Sequence, residues 1–260
     1  MQAAELDRHA EEYARDGLTV VTDAIPGPLL ARMREQVEVL RAHTRSTLGP
    51  DATRPPGGTV GGRVLLDYGE RIDTAPFAAL AELPRLRRVV DRLLGTDFAL
   101  DAEAFTVLFQ RSTGSWCQRW HRDYRDNVPQ ADVERWRTLV PDLRFFNQFN
   151  AALYDDMSLW VVPGSHVRDD TPEEARVLAA GPPSRDGVSE EEYVVAASRY
   201  RRSMPGARMV ALSAGDVAVY RDSALHLGHY IPTIHRATLH GHFENEVTRA
   251  FFTETFSLAR

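Results

Sequence analysis

Residues 215–243 read GDVAVYRDSALHLGHYIPTIHRATLHGHF. Gly215-Asp216 is a turn signal, and the apolar run 217–220 behind it reads as a strand. His226 follows near the continuation of that strand, and Arg236 stands ten residues later, on what is expected to be the next one. A metal-bound imidazole and a guanidinium on neighbouring strands can meet opposite ends of one small dicarboxylate, the guanidinium through a two-pronged hydrogen bond. Alone, His226 reads as a partly buried histidine satisfied by backbone. The stretch Trp120-His121-Arg122-Asp123-Tyr124, upstream, changes that reading. His-x-Asp on a β-strand turns both side chains to one face. An imidazole and a carboxylate side by side supply most of the 2-His-1-carboxylate set that holds non-haem Fe(II) with open positions. A bare His-x-Asp is as readily a surface ion pair or a capped turn; joined to His226 it reads as a metal site.

Outward from these two stretches, the chain from about Phe98 consists of short strands separated by turns. They fall at 105–109, 119–124, 145–153, 159–162, 209–212, 217–220, 224–228 and 237–243. Many short strands with few helices between them point to a sandwich or barrel, not to βαβ units. Before them lie a helix over 6–15 stopped by Asp16-Gly17, a strand at 18–21, and a helix over 29–43 with Leu29, Met33, Val37 and Leu40 at helical spacing. Residues 46–62 read as a loop, and 75–94 as a helical region interrupted at Pro84. The charged segment 168–205, broken at Gly181-Pro182-Pro183 and Asp186-Gly187, is expected to be a lid inserted between strands.

Composition narrows the function classes. A chain of 260 residues with 43% hydrophobic and 26% charged residues can bury a sizeable core. The formal charge of -6 argues against a nucleic-acid-binding surface. Lysine is absent, so arginine carries all the positive side-chain charge. The lone Cys117 excludes an internal disulfide framework and fits a reducing compartment. The charged N-terminal stretch is not a secretory signal, and no run approaches membrane-span length. The expectation is a cytoplasmic protein, monomer or homodimer, acting on a small molecule without nucleic acid or membrane.

The elements DGLTVVTDAIP (16–26), WHRD (120–123), NAALYDD (150–156), WVVPGSH (160–166), Gly215-Asp216, ALHLGH (224–229) and Arg236 together resemble the phytanoyl-CoA dioxygenase family. The resemblance runs in order over roughly 10–245. It implies a mainly β fold with flanking helices, a double-stranded β-helix of jelly-roll or cupin type, as one oxygenase domain over 1–260. It further implies Fe(II), 2-oxoglutarate and O2 as reactants, with succinate and CO2 released as a C–H bond is hydroxylated or otherwise oxidised. Carried over by position, His121, Asp123 and His226 are the metal ligands and Arg236 the cosubstrate clamp. Asn150 lies near the cosubstrate, and Gln110 is a weaker candidate of that kind. Tyr124, Trp120 and His240 are the residues placed nearest a substrate, and His166 is structural. Halogenation is disfavoured, because Asp123 keeps the carboxylate that halogenating relatives replace.

Two departures stand out. Asp155-Asp156-Met157-Ser158 replaces the family's Asn-Gly turn and is expected to touch no ligand, and Gly228 stands where a small serine is often found. The odd offset between His226 and His229 puts them on opposite faces, with His229 expected where the chain leaves the strand. Two other classes remain open on residue types alone: a non-catalytic β-helix binding module, and a zinc hydrolase using the same three ligands.

Overall fold

Asn147-Gln148-Phe149-Asn150-Ala151-Ala152 is the strand on which the two layers of the fold divide. Its odd-numbered apolar residues turn outward, where Phe149 and Ala151 join helix residues Met33, Val37, Leu40, Leu86, Val89 and Val90 in the main core. Its even-numbered residues Gln148 and Asn150 turn inward and line cavities between the sheets. This alternation is the period of a β-strand. The computed structural model describes residues 2–48, 70–100, 105–110, 114–128 and 132–258.

Two antiparallel sheets result. The larger runs β1 (Leu18–Val21), β8 (Val217–Arg221), β5 (Asn147–Ala152), β10 (Ala237–Gly241), β3 (Thr106–Phe109). The smaller runs β4 (Trp116–Cys117), β9 (His226–Tyr230), β6 (Leu159–Val161), β7 (Arg208–Met209). Successive strands change sheet, β5 to β6 and β8 to β9 to β10, which is the winding of a jelly roll. A short pair, β2 (Ala99–Leu100) with β11 (Phe243–Glu244), extends the structure at one end. Helices α1 (Ala3–Asp16), α2 (Gly27–Leu48), α3 (Ala75–Ala81) and α4 (Pro84–Leu93) flank the larger sheet. The remaining helices are α5 (Asp123–Asn127), α6 (Val133–Leu139), α7 (Pro172–Ala180), α8 (Glu190–Ser203) and α9 (Glu246–Leu258).

The helix signals near the start behave as their chemistry requires. Gly17 ends α1 at φ 73°, where its N–H reaches Tyr13 O at 2.9 Å. A Cβ at Gly17 would lie 2.6 Å from the buried His166 ring, so that histidine is packed into the wall beside the turn Ser165–Val167. Pro84 opens α4 in the first-turn position it tolerates.

Several boundaries differ from expectation. The strand expected at 119–124 is only β4 plus a single bridge from His121 to His226, and Asp123 begins α5 instead. The Asp126 side chain accepts from the Arg122 N–H at 2.8 Å and turns the chain into that helix. The strand expected at 224–228 starts two residues later, because Ala224 N–H bonds back to Arg221 O in a turn. His229 therefore lies inside β9 and not in the turn beyond it. Helix α2 reaches Leu48, and the rest of the loop expected at 46–62 lies outside the described residues.

Segment 168–205 forms α7 and α8, each opened by a capping box, Thr171 with Glu174 and Ser189 with Glu192. Tyr193, Ala197, Tyr200 and Met204 pack with Cys117, Trp120, Leu225 and Leu227. The Tyr193 and Tyr200 hydroxyls accept from the backbone N–H of Cys117 at 3.0 Å and of Trp120 at 3.1 Å. Among the described residues, none of this segment lines the cavity over Asp123. What was expected as a lid is built here as an outer wall of the smaller sheet. Tyr200→Phe should cost about 1–3 kcal/mol, since it strands a buried N–H next to the metal-ligand stretch; thermal unfolding of the variant measures it.

Candidate metal centre

The bridge between His121 and His226 sets the geometry of the centre. Each residue's N–H donates to the other's carbonyl at 3.0 Å, which holds the two imidazoles 4.4 Å apart. Asp123 enters from the start of α5, its own N–H held by Asp222 O at 3.1 Å. Its two carboxylate oxygens divide between the rings: Oδ1 is 3.2 Å from His121 Nε2 and Oδ2 is 3.4 Å from His226 Nε2. His121 Nδ1 donates to Arg119 O at 2.8 Å and His226 Nδ1 to Ala224 O at 2.9 Å. With Nδ1 of each ring given to backbone, Nε2 is the atom that would meet a metal at the shared point. Metal–ligand bonds of about 2.0–2.2 Å meeting at right angles put neighbouring donors roughly 3 Å apart, so the observed spacings suit one first-row ion. The residues fit the metal.

Electrostatics agree. Burial by itself raises the Asp123 carboxyl, but the charge of His226 and hydrogen bonds from both imidazoles outweigh it and hold the group well below the usual carboxylate range. Burial lowers His121, and Asp123 more than reverses that, so its imidazole is raised above 6.5. Arg122, between the two ligands, points away and is fully buried. It donates to the Ser165 carbonyl at 2.6 Å and to Ser223 O, and pairs with Asp170 at 2.8 Å. The ligand stretch is thereby tied to the Pro163-Gly164-Ser165-His166 turn.

Two cavities open from the centre. The smaller, about 110 Å³, is lined by the three ligands with Asn150, Ser158, Tyr220, Gly228, Tyr230 and Arg236. The larger, about 550 Å³, is lined by Asp123, Tyr124, Gln148, Asp222, His240, His242 and the α9 residues Arg249, Phe252 and Thr253. Asp123 and His240 line both. Burial, then the neighbouring His242, pushes His240 down to about 4, and its Nδ1 sits 2.9 Å from Asn150 Oδ1.

Arg236 lies at the far end of the smaller cavity, buried, with its guanidinium over the Tyr230 ring at 4.7 Å. The edge expected to grip a carboxylate in a fork is already taken: Nε and Nη2 reach Asp156 Oδ2 at 3.1 and 2.8 Å. Thr238 Oγ1 also donates to that oxygen, at 2.7 Å. The Asp155–Ser158 turn, expected to touch no ligand, meets none of the three metal-site residues but does meet Arg236, because its bend brings Asp156 against Arg236 and Thr238. Burial would raise the Asp156 carboxyl, yet Arg236 holds it down at about 2. The other terminal nitrogen, Nη1, is buried without an aligned hydrogen-bond partner. With the Tyr230 hydroxyl beside it, this donor belongs to a residue lining the same small cavity as His121, Asp123 and His226, and it fits the distal carboxylate of 2-oxoglutarate.

The other sequence candidates divide. Asn150 faces the smaller cavity and Tyr124 the larger. Gln110 stands behind Arg236, accepting from the Arg236 backbone N–H at 3.2 Å and from Arg41. Trp120 is fully buried in the core under α8 and lines neither cavity, since it is one residue out of phase with His121. His229 turns to the opposite face from His226 and meets Arg201. Gly228 gives up its side chain to Tyr230, whose hydroxyl lies 2.3 Å from where a Cβ would stand. The phenol thus occupies the place of the missing serine. Tyr230 and Gln148 escaped the sequence reading, although spacing could have found both: Tyr230 is four residues after His226, and Gln148 two before Asn150.

A jelly roll carrying two histidines and one carboxylate, with a buried arginine across a small cavity, defines a class: the non-haem iron, 2-oxoglutarate-dependent oxygenases. The family described as Phytanoyl-CoA dioxygenase (PhyH) matches residues 13–233, and the chain belongs to it. No curated protein matches the chain. Among solved structures, AviO1 from Streptomyces viridochromogenes Tue57 superposes with a TM-score of 0.58 at 19% identity, covering 95% of this chain and 97% of that one. EctD from S. alaskensis, with 2-oxoglutarate and 5-hydroxyectoine, gives 0.57 at 17% identity over 95% and 77%. The epimerase SnoN from nogalamycin biosynthesis, in complex with Fe3+, alpha ketoglutarate and nogalamycin RO, gives 0.56 at 19% identity over 94% and 85%. The fold is theirs, and the protein is an oxygenase of this class using iron and 2-oxoglutarate. No helix among the described residues is long and apolar enough to cross a membrane.

His226→Ala should lose iron at micromolar metal, while His229→Ala keeps it; metal content after gel filtration distinguishes them, and the reverse result would reassign the β9 register. Gly228→Ala should destabilise the fold by about 1–3 kcal/mol through overpacking. Adding Tyr230→Phe should recover part of that loss in thermal unfolding.

Proposed function

We propose that the enzyme oxidises an unactivated C–H bond of a small molecule, foremost by hydroxylation, in the larger cavity beside Asp123. The observation that carries this reading is the meeting of the two cavities at Asp123 and His240. A cosubstrate in one and a substrate in the other would approach the same metal from adjoining sides. When bound, iron and 2-oxoglutarate supply the oxidising chemistry, with succinate and CO2 as the cosubstrate's products.

The chain's own residues bind, orient and exclude water. His121, His226 and Asp123 hold the metal and leave its remaining positions open. Arg236 receives the distal carboxylate through Nη1, with the Tyr230 hydroxyl beside it. Asp156 and Thr238 fix the guanidinium so that little orientational freedom is lost on binding. Gln148 and Asn150 project from β5 toward the boundary between the cavities. Tyr124, Phe252 and Val128 give the larger cavity its apolar wall. Its volume, about 550 Å³, suits a compact metabolite. Structures of similar fold hold 5-hydroxyectoine and nogalamycin RO, which supports a metabolite or an amino-acid-like compound as substrate.

A metabolite panel scored for succinate above the substrate-free background tests the proposal; silence from an iron-loaded protein across amino acids, natural products and acyl compounds would overturn it. Arg236→Leu should raise the 2-oxoglutarate half-saturation by about 10- to 100-fold, the worth of a charge-assisted hydrogen bond, and leave the iron requirement unchanged. Equal weakening of both requirements would remove Arg236 from the clamp.

A further inference from the structure

A further cavity adjoins the smaller one and has no part in the chemistry above. It measures about 200 Å³, and Ser158 and Arg236 line it and the smaller cavity alike. Arg201 and His229 give it a polar wall, and Met157, Met209, Ile231 and Ile234 an apolar one. Asp156 is the one carboxylate among its described lining residues, and both oxygens are engaged. Oδ2 accepts from Arg236 and Thr238, and Oδ1 from the Ser158 N–H. A cation entering this cavity finds no free carboxylate.

An anion finds Arg201. This half-buried residue of α8 stacks over the Trp160 ring at 4.8 Å, donates to His229 Nδ1, and reaches Ser198 Oγ at 3.4 Å. Among the described residues no carboxylate pairs with it, whereas Arg236 on the same wall is paired with Asp156. A guanidinium only donates, so His229 Nδ1 accepts and the ring proton sits on Nε2. Burial, then the Arg201 charge, pushes that imidazole down to about 4. The histidine therefore orients the guanidinium without neutralising it. Arg201 Nε and His229 Nε2 have no hydrogen-bond partner, so the pair holds donors and no free acceptor. A fixed, uncompensated cation at the wall of a cavity suits a carboxylate.

The apolar wall narrows the class. Met157 and Met209 are 48% and 43% exposed, although both are large and hydrophobic. Exposed apolar side chains around a charged hollow mark a ligand site, and methionine adapts its shape to an occupant. We propose that this cavity is a second binding site, separate from the metal centre, for a compact apolar monocarboxylate. The carboxylate meets Arg201, and the hydrocarbon body lies among Met157, Met209, Ile231 and Ile234. Inorganic phosphate would leave the apolar wall without a partner, and a neutral alcohol would leave Arg201 without one. At about 200 Å³ the cavity is smaller than the roughly 300 Å³ at which drug-sized pockets begin, so a single-ring acid is the natural size.

The test is calorimetric titration of the full-length protein, anaerobic with Fe(II) and saturating 2-oxoglutarate, by benzoate, benzyl alcohol or inorganic phosphate. Benzoate should bind saturably and at least about tenfold more tightly than the other two, as expected for a charge-assisted contact beside apolar burial. Arg201→Gln should weaken benzoate by about tenfold or more. Met209→Glu, which sets a like charge at an exposed position, should weaken it by about fivefold or more. The iron–cosubstrate absorption band should be unchanged in both variants, and if Arg201→Gln loses the band, Met209→Glu decides. No saturable benzoate binding, or equal or tighter binding of the alcohol or phosphate, overturns the proposal. So does an affinity unchanged by both substitutions, which would put benzoate in the larger cavity. Benzoate binding that appears only when 2-oxoglutarate is left out would put it at Arg236 and overturn the proposal as well.

Discussion

The Asp123 carboxylate lies between two imidazoles, and much of the molecule is arranged to keep it there. A buried anion needs positive partners at hydrogen-bonding distance, yet a metal ligand must keep its lone pairs turned to one point. The structure meets both demands by binding the far side of each ring to backbone, His121 to Arg119 O and His226 to Ala224 O. The reciprocal backbone bridge then makes the distance between the rings a property of the sheet and not of side-chain freedom. Arg122 secures the third member by tying the ligand stretch to Ser165, Ser223 and Asp170. Movement in any of these supports would reach the metal directly.

The second constraint lies across the smaller cavity. Arg236 is neutralised along one edge by Asp156, itself held by Thr238 and by the Ser158 N–H at 2.8 Å. A buried guanidinium with a single unspent nitrogen is more selective than a free one, because it offers a carboxylate a narrow range of approach. Burial of both partners also means that the pair cannot be relaxed by solvent, so removing either leaves an uncompensated charge.

The cluster of His121, Asp123 and His226, the placing of Arg236 near it and the β texture were legible because each rests on local chemistry: residue type, fixed spacing and turn signals. His121, Asp123, His226 and Arg236 needed no tertiary knowledge beyond strand order. What stayed hidden depends on contacts between distant segments. The helical start at Asp123 is set by Asp126 and the Asp222 carbonyl. Trp120 reads as a substrate aromatic until α8 is seen covering it. Asp156 looks like a loop residue until β10 is folded over it, and both faces of β5 are covered, so its Gln148 and Asn150 stand out by polarity alone.

Helix α9 gives the architecture its room for change. The three metal ligands all fall inside the span 13–233 that matches the family, whereas Arg249, Phe252 and Thr253, which wall the larger cavity, fall after it. The three proposed metal ligands and the α9 part of the larger cavity's wall thus lie in separate stretches of the chain. Natural drift in α9 can retool what the cavity admits while the iron chemistry is conserved, much as a tool head is exchanged on an unchanged motor.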